Sequence, residues 1–222
     1  RVRLFEIGAI YATNDTGYSE TTRISGLAYG DAVPEQWAEA ARDVDFYDVK
    51  ADVDLLTHGR AKYVVATHPA LHPGQSAQVV LDGKTIGWIG KLHPKWQQHY
   101  QLPRGAMLFE LDIAPLLKCE LAQYAEVAKF PPVRRDMAVI VDEKLPVQAL
   151  LSTMQTLKIP VVSEIALFDV YRGKGIVENK KSLAFLVLMQ DTQKTLTDAE
   201  ADEVMAKLLD SIVREHDAEL RK

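Results

Sequence analysis

Residues 161–190 decide the fold of the second half of this chain. They read Val161-Val-Ser-Glu-Ile-Ala-Leu-Phe-Asp-Val-Tyr-Arg-Gly-Lys-Gly175 and then Ile176-Val-Glu-Asn-Lys-Lys-Ser-Leu-Ala-Phe-Leu-Val-Leu-Met-Gln190. Apolar, aromatic and β-branched residues predict a strand over 161–171 and a returning strand over 181–190. The glycine-rich segment Arg172-Gly-Lys-Gly175 predicts the turn between them, so the two strands form an antiparallel hairpin.

Alternation assigns the side chains of this hairpin to two faces. In the first strand it predicts one face with Ala166, Phe168 and Val170, and the other with Leu167, Asp169 and Tyr171. In the second strand it separates Leu183, Phe185, Val187 and Met189 from Ser182, Ala184, Leu186 and Leu188. The large apolar set is expected to face helices, which leaves Asp169, Tyr171 and Ser182 on a helix-free face. Flanking cations follow in the sequence at Arg172, Lys174, Lys180 and Lys181.

The elements around the hairpin predict a ferredoxin-like domain. Met137–Val141 reads as a strand, and Pro146 suits the first turn of a helix with apolar residues at helical spacing. Thr197-Asp-Ala-Glu200 is a capping-box pattern that begins a second amphipathic helix. A last short strand near Ala218–Arg221 completes the order β-α-β-β-α-β, with both helices on one face of an antiparallel sheet.

The first half predicts an α+β domain with a mainly antiparallel sheet. Strands are expected over residues 4–11, 23–29, 77–81, 85–91 and 106–113, and Asp82-Gly83 is a strong hairpin signal. Helices are expected over 34–42, which includes Trp37, and over 52–57. The predicted first domain therefore covers residues 1–122, a connector with Pro131 and Pro132 covers 123–133, and the second domain covers 129–222.

Composition indicates a globular protein. Hydrophobic residues make up 47% and charged residues 26% of the 222 residues. No apolar run reaches the roughly 18–20 residues of a membrane span, and no signal peptide is evident. The single Cys119 is interpreted as a small buried hydrophobe. Because one cysteine cannot form an internal disulfide, a reducing cytoplasmic location is expected. Because the chain begins with Arg1, we expect it to be a piece of a longer protein.

The helix-free face has the residue types that bind single-stranded RNA. An aromatic ring can stack on a base, a carboxylate and a hydroxyl can bond base edges, and cations can contact phosphates. The net charge of −5 excludes a uniformly basic surface, but residues 129–181 hold 9 Lys/Arg against 6 Asp/Glu, whereas 182–222 hold 5 against 9. The alternative is that this face packs on another subunit.

Other motifs predict no catalytic or metal site. His68, His72 and His93 are each followed closely by proline, which prevents a helical His-x3-His pair, and no further ligands have suitable spacing. Arg172-Gly-Lys-Gly lacks the Ser/Thr and helix of a phosphate loop. No nucleophile–base or paired-carboxylate arrangement is present.

An ordered set of motifs carries a family resemblance over essentially the whole chain. They are Phe46-Tyr-Asp-Val-Lys50, Leu71-His-Pro-Gly-Gln-Ser-Ala77, Ile86-Gly-Trp-Ile-Gly-Lys-Leu-His-Pro94, Phe109-Glu-Leu-Asp112, Lys129-Phe-Pro-Pro-Val-Arg-Arg-Asp136, Phe168-Asp-Val-Tyr-Arg-Gly173, Lys181-Ser182 and Thr195-Leu-Thr-Asp198. The set resembles the C-terminal part of the β subunits of bacterial phenylalanine–tRNA ligases. One departure is Ala51, where the family usually has glycine.

For residues 1–122, the resemblance implies an inactive copy of a class II synthetase catalytic domain, with Phe5-Glu-Ile-Gly8 at the end of that class's second motif. Catalytic copies carry glycines and an ATP-binding arginine on a later strand, and the matching stretch Met107-Leu-Phe-Glu-Leu-Asp-Ile113 has neither. The resemblance implies that ATP, Mg²⁺ and phenylalanine bind on a separate α subunit, in an α2β2 heterotetramer that this domain scaffolds. Retained ATP binding by the first half is the alternative.

For residues 129–222, the resemblance implies an anticodon-binding domain for tRNA(Phe), with no DNA or membrane partner. Asp169, Tyr171 and Ser182 match the residues that contact the first anticodon base, a guanine. Asp169 is expected to accept from guanine N–H groups, Tyr171 to stack, and Ser182 to hydrogen-bond. The cations expected to contact phosphates are Arg134, Arg135, Arg172, Lys174 and Lys181. The alternative function is a regulatory ferredoxin-like module that binds a small amino acid at a dimer interface.

Overall fold

The computed structural model describes residues 1–15, 17–118, 124 and 127–221. The chain divides into two compact units, Arg1–Leu121 and Ala122–Lys222. The prediction about Cys119 and part of the predicted connector lie outside the described residues. Within the described residues, no helix is long and apolar enough to cross a membrane.

The first unit is built on a six-stranded antiparallel sheet. Its strands are β1 (Val2–Asn14), β2 (Gly17–Tyr29), β3 (Lys62–Val65), β4 (Leu71–Leu81), β5 (Lys84–Leu92) and β6 (Ala106–Asp112), in the order β1-β2-β6-β5-β4-β3. Its helices are α1 (Phe46–Leu56), α2 (Pro94–His99) and α3 (Ile113–Leu116). Helix α1 buries Val49 and Val53 against the sheet, and these side chains join the apolar core of this unit. The predicted antiparallel α+β class is confirmed.

The predicted Asp82-Gly83 hairpin joins β4 and β5. Both residues have positive φ, 50° and 77°, which is the conformation that tight two-residue hairpin turns require. Asp82 tolerates this backbone better than most side chains, and Gly83 adopts it without a Cβ clash.

The prediction of a helix over residues 34–42 is wrong. The segment is a loop whose ends are joined by a bridge between Asp31 and Asp43 and by a 2.9 Å bond from the Ala32 N–H to the Arg42 carbonyl. Trp37 is 98% exposed, so it has no core to pack against. The apolar residues of this segment therefore do not form the buried face that would stabilise a helix.

The helix predicted over 52–57 begins six residues earlier, at Phe46. Asp45 and Asp48 form a capping box, in which each side chain accepts from the other residue's backbone N–H. Arg42 also donates to both oxygens of Asp48, at 2.7 and 2.8 Å. The capping signal was missed because the box carries aspartate where glutamate or glutamine is usual. Strand β3 and helix α2 were not predicted.

The second unit has the predicted β-α-β-β-α-β order. Its elements are β7 (Val133–Asp142), α4 (Val147–Thr156), β8 (Val162–Tyr171), β9 (Lys180–Met189), α5 (Asp198–His216) and β10 (Glu219–Leu220). The sheet order is β10-β7-β9-β8, with every pairing antiparallel. The ferredoxin-like prediction is confirmed, and so is the capping box of Thr197 and Glu200 at the start of α5.

Both helices of the second unit pack on one face of its sheet. Leu150 and Met154 of α4 and Leu208 and Ile212 of α5 are buried there, together with Phe185 of β9. The alternate residues of β7 and β9 therefore lie on the opposite face, which we call the open face.

Candidate nucleic-acid interface

The open face of the second unit brings together residues from all four strands. Strand register opposes Tyr171 of β8 to Ser182 of β9, and opposes Asp169 of β8 to Ala184 of β9. Ser182 in turn opposes Ile140 of β7, and Ile140 opposes Glu219 of β10. Asp169, Tyr171 and Ser182 therefore share this face near the hairpin between β8 and β9.

A bulge at Phe168 interrupts the alternation of β8. Leu167 opposes Phe185 and Asp169 opposes Ala184, so the ladder has one extra residue on the β8 side. The predicted assignment of Leu167 to the open face is wrong, since Leu167 packs against the buried core. Ala166 was also misassigned, because it opposes Leu186 on the open face. Asp169 and Tyr171 keep the face that alternation predicted.

Phe168 itself lies at the surface and meets a cation. It is 51% exposed, and the guanidinium carbon of Arg134 lies 5.6 Å from its ring centroid. Arg134 opposes Leu188 on the open face, and it pairs with Asp136 at 2.9 Å along the same strand. An aromatic ring next to Asp169 thus lies beside a partly neutralised arginine that extends from the far end of the open face.

Tyr171 is held at the hairpin end of the face by contacts on two sides. Its hydroxyl donates to the Lys174 carbonyl at 3.2 Å. A Cβ at Gly173 would lie 2.9 Å from the same hydroxyl, so a larger residue there would push the end of the Tyr171 side chain aside. The ring is thereby fixed on the open face, as a base-stacking platform requires.

Arg221 is a residue of this face that sequence reasoning missed. Its guanidinium carbon lies 5.0 Å from the Tyr171 ring centroid, and its Nη1 lies 3.4 Å from Ser182 Oγ. The available signal was the predicted last strand, Ala218–Arg221, whose pairing next to β7 would place an arginine on the open face. The predicted elements alone did not show which side chain reaches across the sheet.

Two of the expected phosphate contacts do not lie on the open face. Arg135 is on the helix side, where it pairs with Asp198 and Asp202 of α5. Lys181 opposes Val141 on the same side and is only 7% exposed. Its ammonium donates to the Glu143 carbonyl at 2.7 Å, and burial lowers its pKa. Alternation places both side chains there, because each precedes or follows an open-face residue by one position.

The hairpin carries the remaining expected cations. Arg172 pairs with Glu143, with Nη2 and Oε1 2.8 Å apart. This hydrogen-bonded pair lowers the pKa of the Glu143 carboxyl. Lys174 is exposed at the turn, and the described part of the chain contains no ion pair to it. The cations available beside Tyr171 are thus at the hairpin and at Arg221.

In the first unit, β6 contains most of the stretch that the family resemblance is expected to align with the ATP-binding strand of catalytic copies. Arg23 of β2 donates to Asp112 at 2.8 Å and also contacts Glu110, both on β6. Burial alone would lower the pKa of Arg23, but the hydrogen bonds to the two carboxylates outweigh it and raise that pKa. A guanidinium held by two carboxylates is already neutralised and does not offer a free cation to a phosphate chain.

The three histidines considered for metal binding have local structural contacts. Nδ1 of each accepts a backbone N–H two residues later: His68 from Ala70, His72 from Gly74 and His93 from Lys95. The His68 ring also stacks on Trp88, with centroids 4.4 Å apart. Across the described residues, no three His, Cys, Asp or Glu side chains are grouped as a metal site would need.

Comparison with known proteins gives the same two-part division. A family model described as the phenylalanyl tRNA synthetase beta chain CLM domain matches residues 1–113, and one described as a ferredoxin-fold anticodon binding domain matches residues 128–221. The phenylalanine–tRNA ligase beta subunit of Nitrosospira multiformis is 51% identical over the whole chain, and that of Dechloromonas aromatica is 45% identical. The chain spans 28% and 29% of the length of these relatives.

Proposed function

Because the chain belongs to the phenylalanyl-tRNA synthetase beta chain family, we propose that its second unit binds the anticodon of tRNA(Phe) on the open face. The observation that carries this proposal is the pairing of Tyr171 with Ser182 across β8 and β9, two residues from Asp169. An aromatic ring, a hydroxyl and a carboxylate meet there, with exposed cations around them.

In this proposal the first anticodon base, a guanine, stacks on Tyr171. Asp169 accepts from the N1–H and N2–H groups of the guanine, and Ser182 hydrogen-bonds another polar atom of the base. Only guanine among the four bases presents this pair of donors, so the carboxylate supplies selectivity and the ring supplies affinity. Lys174 and Arg172 contact the RNA backbone near the hairpin, and Arg134 does so at the far end of the face.

The first unit serves as a non-catalytic scaffold for a separate α subunit in the same proposal. The neutralised Arg23 and the absence of glycine and arginine from Met107–Ile113 support this reading. ATP and Mg²⁺ are then bound by the α subunit, in a cytoplasmic α2β2 ligase that attaches phenylalanine to tRNA. Exposed apolar residues of β1, including Leu4 (64%) and Phe5 (75%), are compatible with packing against a partner.

Binding of RNA stem-loops by the 222-residue chain tests the proposal. A stem-loop with a GAA anticodon should bind more tightly than one with AAA, because adenine lacks the two donors that Asp169 accepts. Asp169→Asn should reduce that preference, whereas Asp210→Asn, a change on the helix side, should leave it intact. Equal affinity for both RNAs would contradict anticodon recognition.

Calorimetry with small ligands separates the alternatives. Neither ATP with Mg²⁺ nor free phenylalanine should release heat with this chain. Saturable binding of ATP would show that the first unit retains a nucleotide site, and saturable binding of phenylalanine would favour a regulatory module.

A further inference from the structure

We propose that Arg221 forms the second wall of a slot for the first anticodon base, so that the base inserts between the Arg221 guanidinium and the Tyr171 ring. The inference rests on the proposed anticodon function and adds to it a residue that contacts the base. Its basis is the direct approach of Arg221 to both Tyr171 and Ser182.

The contact spans the whole width of the sheet. Strands β10 and β8 are its two edges, separated by three strand intervals, or roughly 14 Å. The backbone N–H of Arg221 donates to the Ala138 carbonyl of β7 at 2.8 Å, which fixes the start of its side chain at the β10 edge. Arg221 and Tyr171 can meet only if both side chains extend across the open face toward each other. Their contact therefore lies above the sheet surface, where RNA would approach.

The observed spacing is slightly too small to hold a base. A base between two stacking partners needs about twice the ~3.4 Å spacing of stacked bases, or about 7 Å. The guanidinium is 5.0 Å from the ring centroid, so Arg221 has to move outward by roughly 2 Å. A rotamer adjustment of a long side chain covers this distance without movement of the strand.

Arg221 is held in its present position by its contact with the Tyr171 ring and by a long hydrogen bond to Ser182. Its bond to Ser182 is 3.4 Å long, beyond the usual range for a strong N–H···O bond, and the described residues include no ion pair to its guanidinium. Ser182 is only 2% exposed while Arg221 lies beside it, so in this proposal the outward movement of Arg221 both removes this donor and uncovers Ser182 Oγ for the edge of the inserted base. The same small movement thus opens the slot and frees a hydrogen-bonding group beside it.

The chemistry of the two walls suits any base. Guanidinium planes and aromatic rings both stack on nucleobases, and every base has a π face. Arg221 should therefore contribute affinity for an inserted base, whereas the choice of guanine is left to Asp169. If Arg221 contacted only phosphate, its contribution to affinity would be the same with and without the base, since a phosphate contact does not depend on the base.

Two stem-loops separate these possibilities: one with a GAA anticodon, and the same RNA with an abasic first anticodon position. We expect Arg221→Ala in the 222-residue chain to weaken binding of the GAA stem-loop about three- to tenfold, the size of a cation–π or stacking contact. Binding of the abasic RNA should fall no more than in Arg214→Ala, a matched charge removal on the helix side. Arg221→Lys keeps the charge but not the plane, and should restore only part of the loss.

Three results would overturn the inference, and they are distinct. An equal loss for both RNAs, with a salt slope lower by about 0.7, would make Arg221 a phosphate contact. Tighter GAA binding by Arg221→Ala would show that the arginine only covers the ring. If the wild-type chain binds the GAA and abasic RNAs equally, the proposed anticodon function itself fails. Unchanged thermal melting of both Arg221 variants confirms that they fold.

Discussion

Leu167 and Asp169 are two residues apart in one strand, yet they lie on opposite faces of the sheet. Leu167 opposes Phe185 and packs in the core, whereas Asp169 opposes Ala184 on the open face. In a regular strand, residues i and i+2 share a face. The bulge at Phe168 reverses this relation, and it lies in the edge strand β8 next to the proposed site, where bulges are common. It allows β8 to pack Leu167 against the core and still place Asp169 and Tyr171 on the open face.

Because of the bulge, deleting Phe168 and deleting Val170 should affect RNA binding differently. Removing Phe168 should leave a regular ladder in which Leu167, Asp169 and Tyr171 keep their present faces, so binding of the GAA stem-loop should persist. Removing Val170 instead places Asp169 and Tyr171 on consecutive positions and therefore on opposite faces, so binding should be lost. The measurement is RNA affinity with thermal melting as the check on folding. Equal effects of the two deletions would contradict the assigned role of the bulge.

Tyr171 should act through its ring. Tyr171→Ala is expected to weaken binding of the GAA stem-loop by about 1–3 kcal/mol, the usual size of a base–aromatic stack. Tyr171→Phe is the matched control, because it keeps the ring and removes only the 3.2 Å hydroxyl bond to the Lys174 carbonyl. Titration with labelled RNA measures both variants. Wild-type affinity in Tyr171→Ala would remove this residue from the site.

Removing the charge of Lys174 and removing that of Lys181 should have different effects on the salt dependence of RNA binding. Lys174→Met is expected to lower the salt slope of RNA binding by about 0.7, the value for one phosphate contact with a single strand. Lys181→Met should leave the slope unchanged, because the Lys181 ammonium is buried against the Glu143 carbonyl. Affinities measured at several salt concentrations give both slopes. A reduced slope in Lys181→Met would show that this lysine reaches RNA after all.

Protonation of Asp48 should make the first unit less stable in acid. The Arg42 hydrogen bond, against an opposing effect of burial, lowers the pKa of the Asp48 carboxyl to about 2. A group whose pKa is lower in the folded state stabilises above its unfolded pKa of about 3.9, and this contribution is lost as the pH falls through 2. Asp48→Asn keeps an acceptor for the helix cap and removes only the charge, so it should lower the free energy of unfolding by roughly 1 kcal/mol at pH 6.

The difference between wild type and Asp48→Asn should shrink between pH 4 and pH 2. Denaturant unfolding at a series of pH values measures it, and Glu35→Gln, which changes an exposed carboxylate in the 31–43 loop, serves as the control. A difference that stays constant down to pH 2 would show that the Arg42–Asp48 pair does not carry the effect.

Much of the fold was predictable because local patterns and tertiary packing agree in it. The Thr197–Glu200 capping box, the Asp82-Gly83 turn and the apolar stripe of α5 each favour the element that the structure contains. The helix expected at 34–42 does not form, because the apolar residues of this segment have no surface to pack on. Helix α1 began earlier than expected because its cap uses Asp48 with support from Arg42, a contact that element prediction does not consider.

The residues of the candidate site also include some that the sequence predicted and some that it did not. Alternation and the family resemblance placed Asp169, Tyr171 and Ser182 together, since residues on one hairpin are constrained by local pairing. Arg135 and Lys181 were assigned by charge and sequence proximity, and the faces of β7 and β9 exclude them from the open face. Arg221 could not be found from local pairing, because the residues it meets are about 40 and 50 positions away in the chain.

The sequence by itself determined the two-part organisation, the order of elements in the second unit and the residue types at the hairpin. These follow from periodicity, capping and turn chemistry, which act over a few neighbouring residues. Only the tertiary structure decided where the bulge falls in β8, that Lys181 is buried, and that Arg221 lies over Tyr171. Each of these depends on strand pairing between distant segments, because the register and edge positions of a sheet are set when its strands come together.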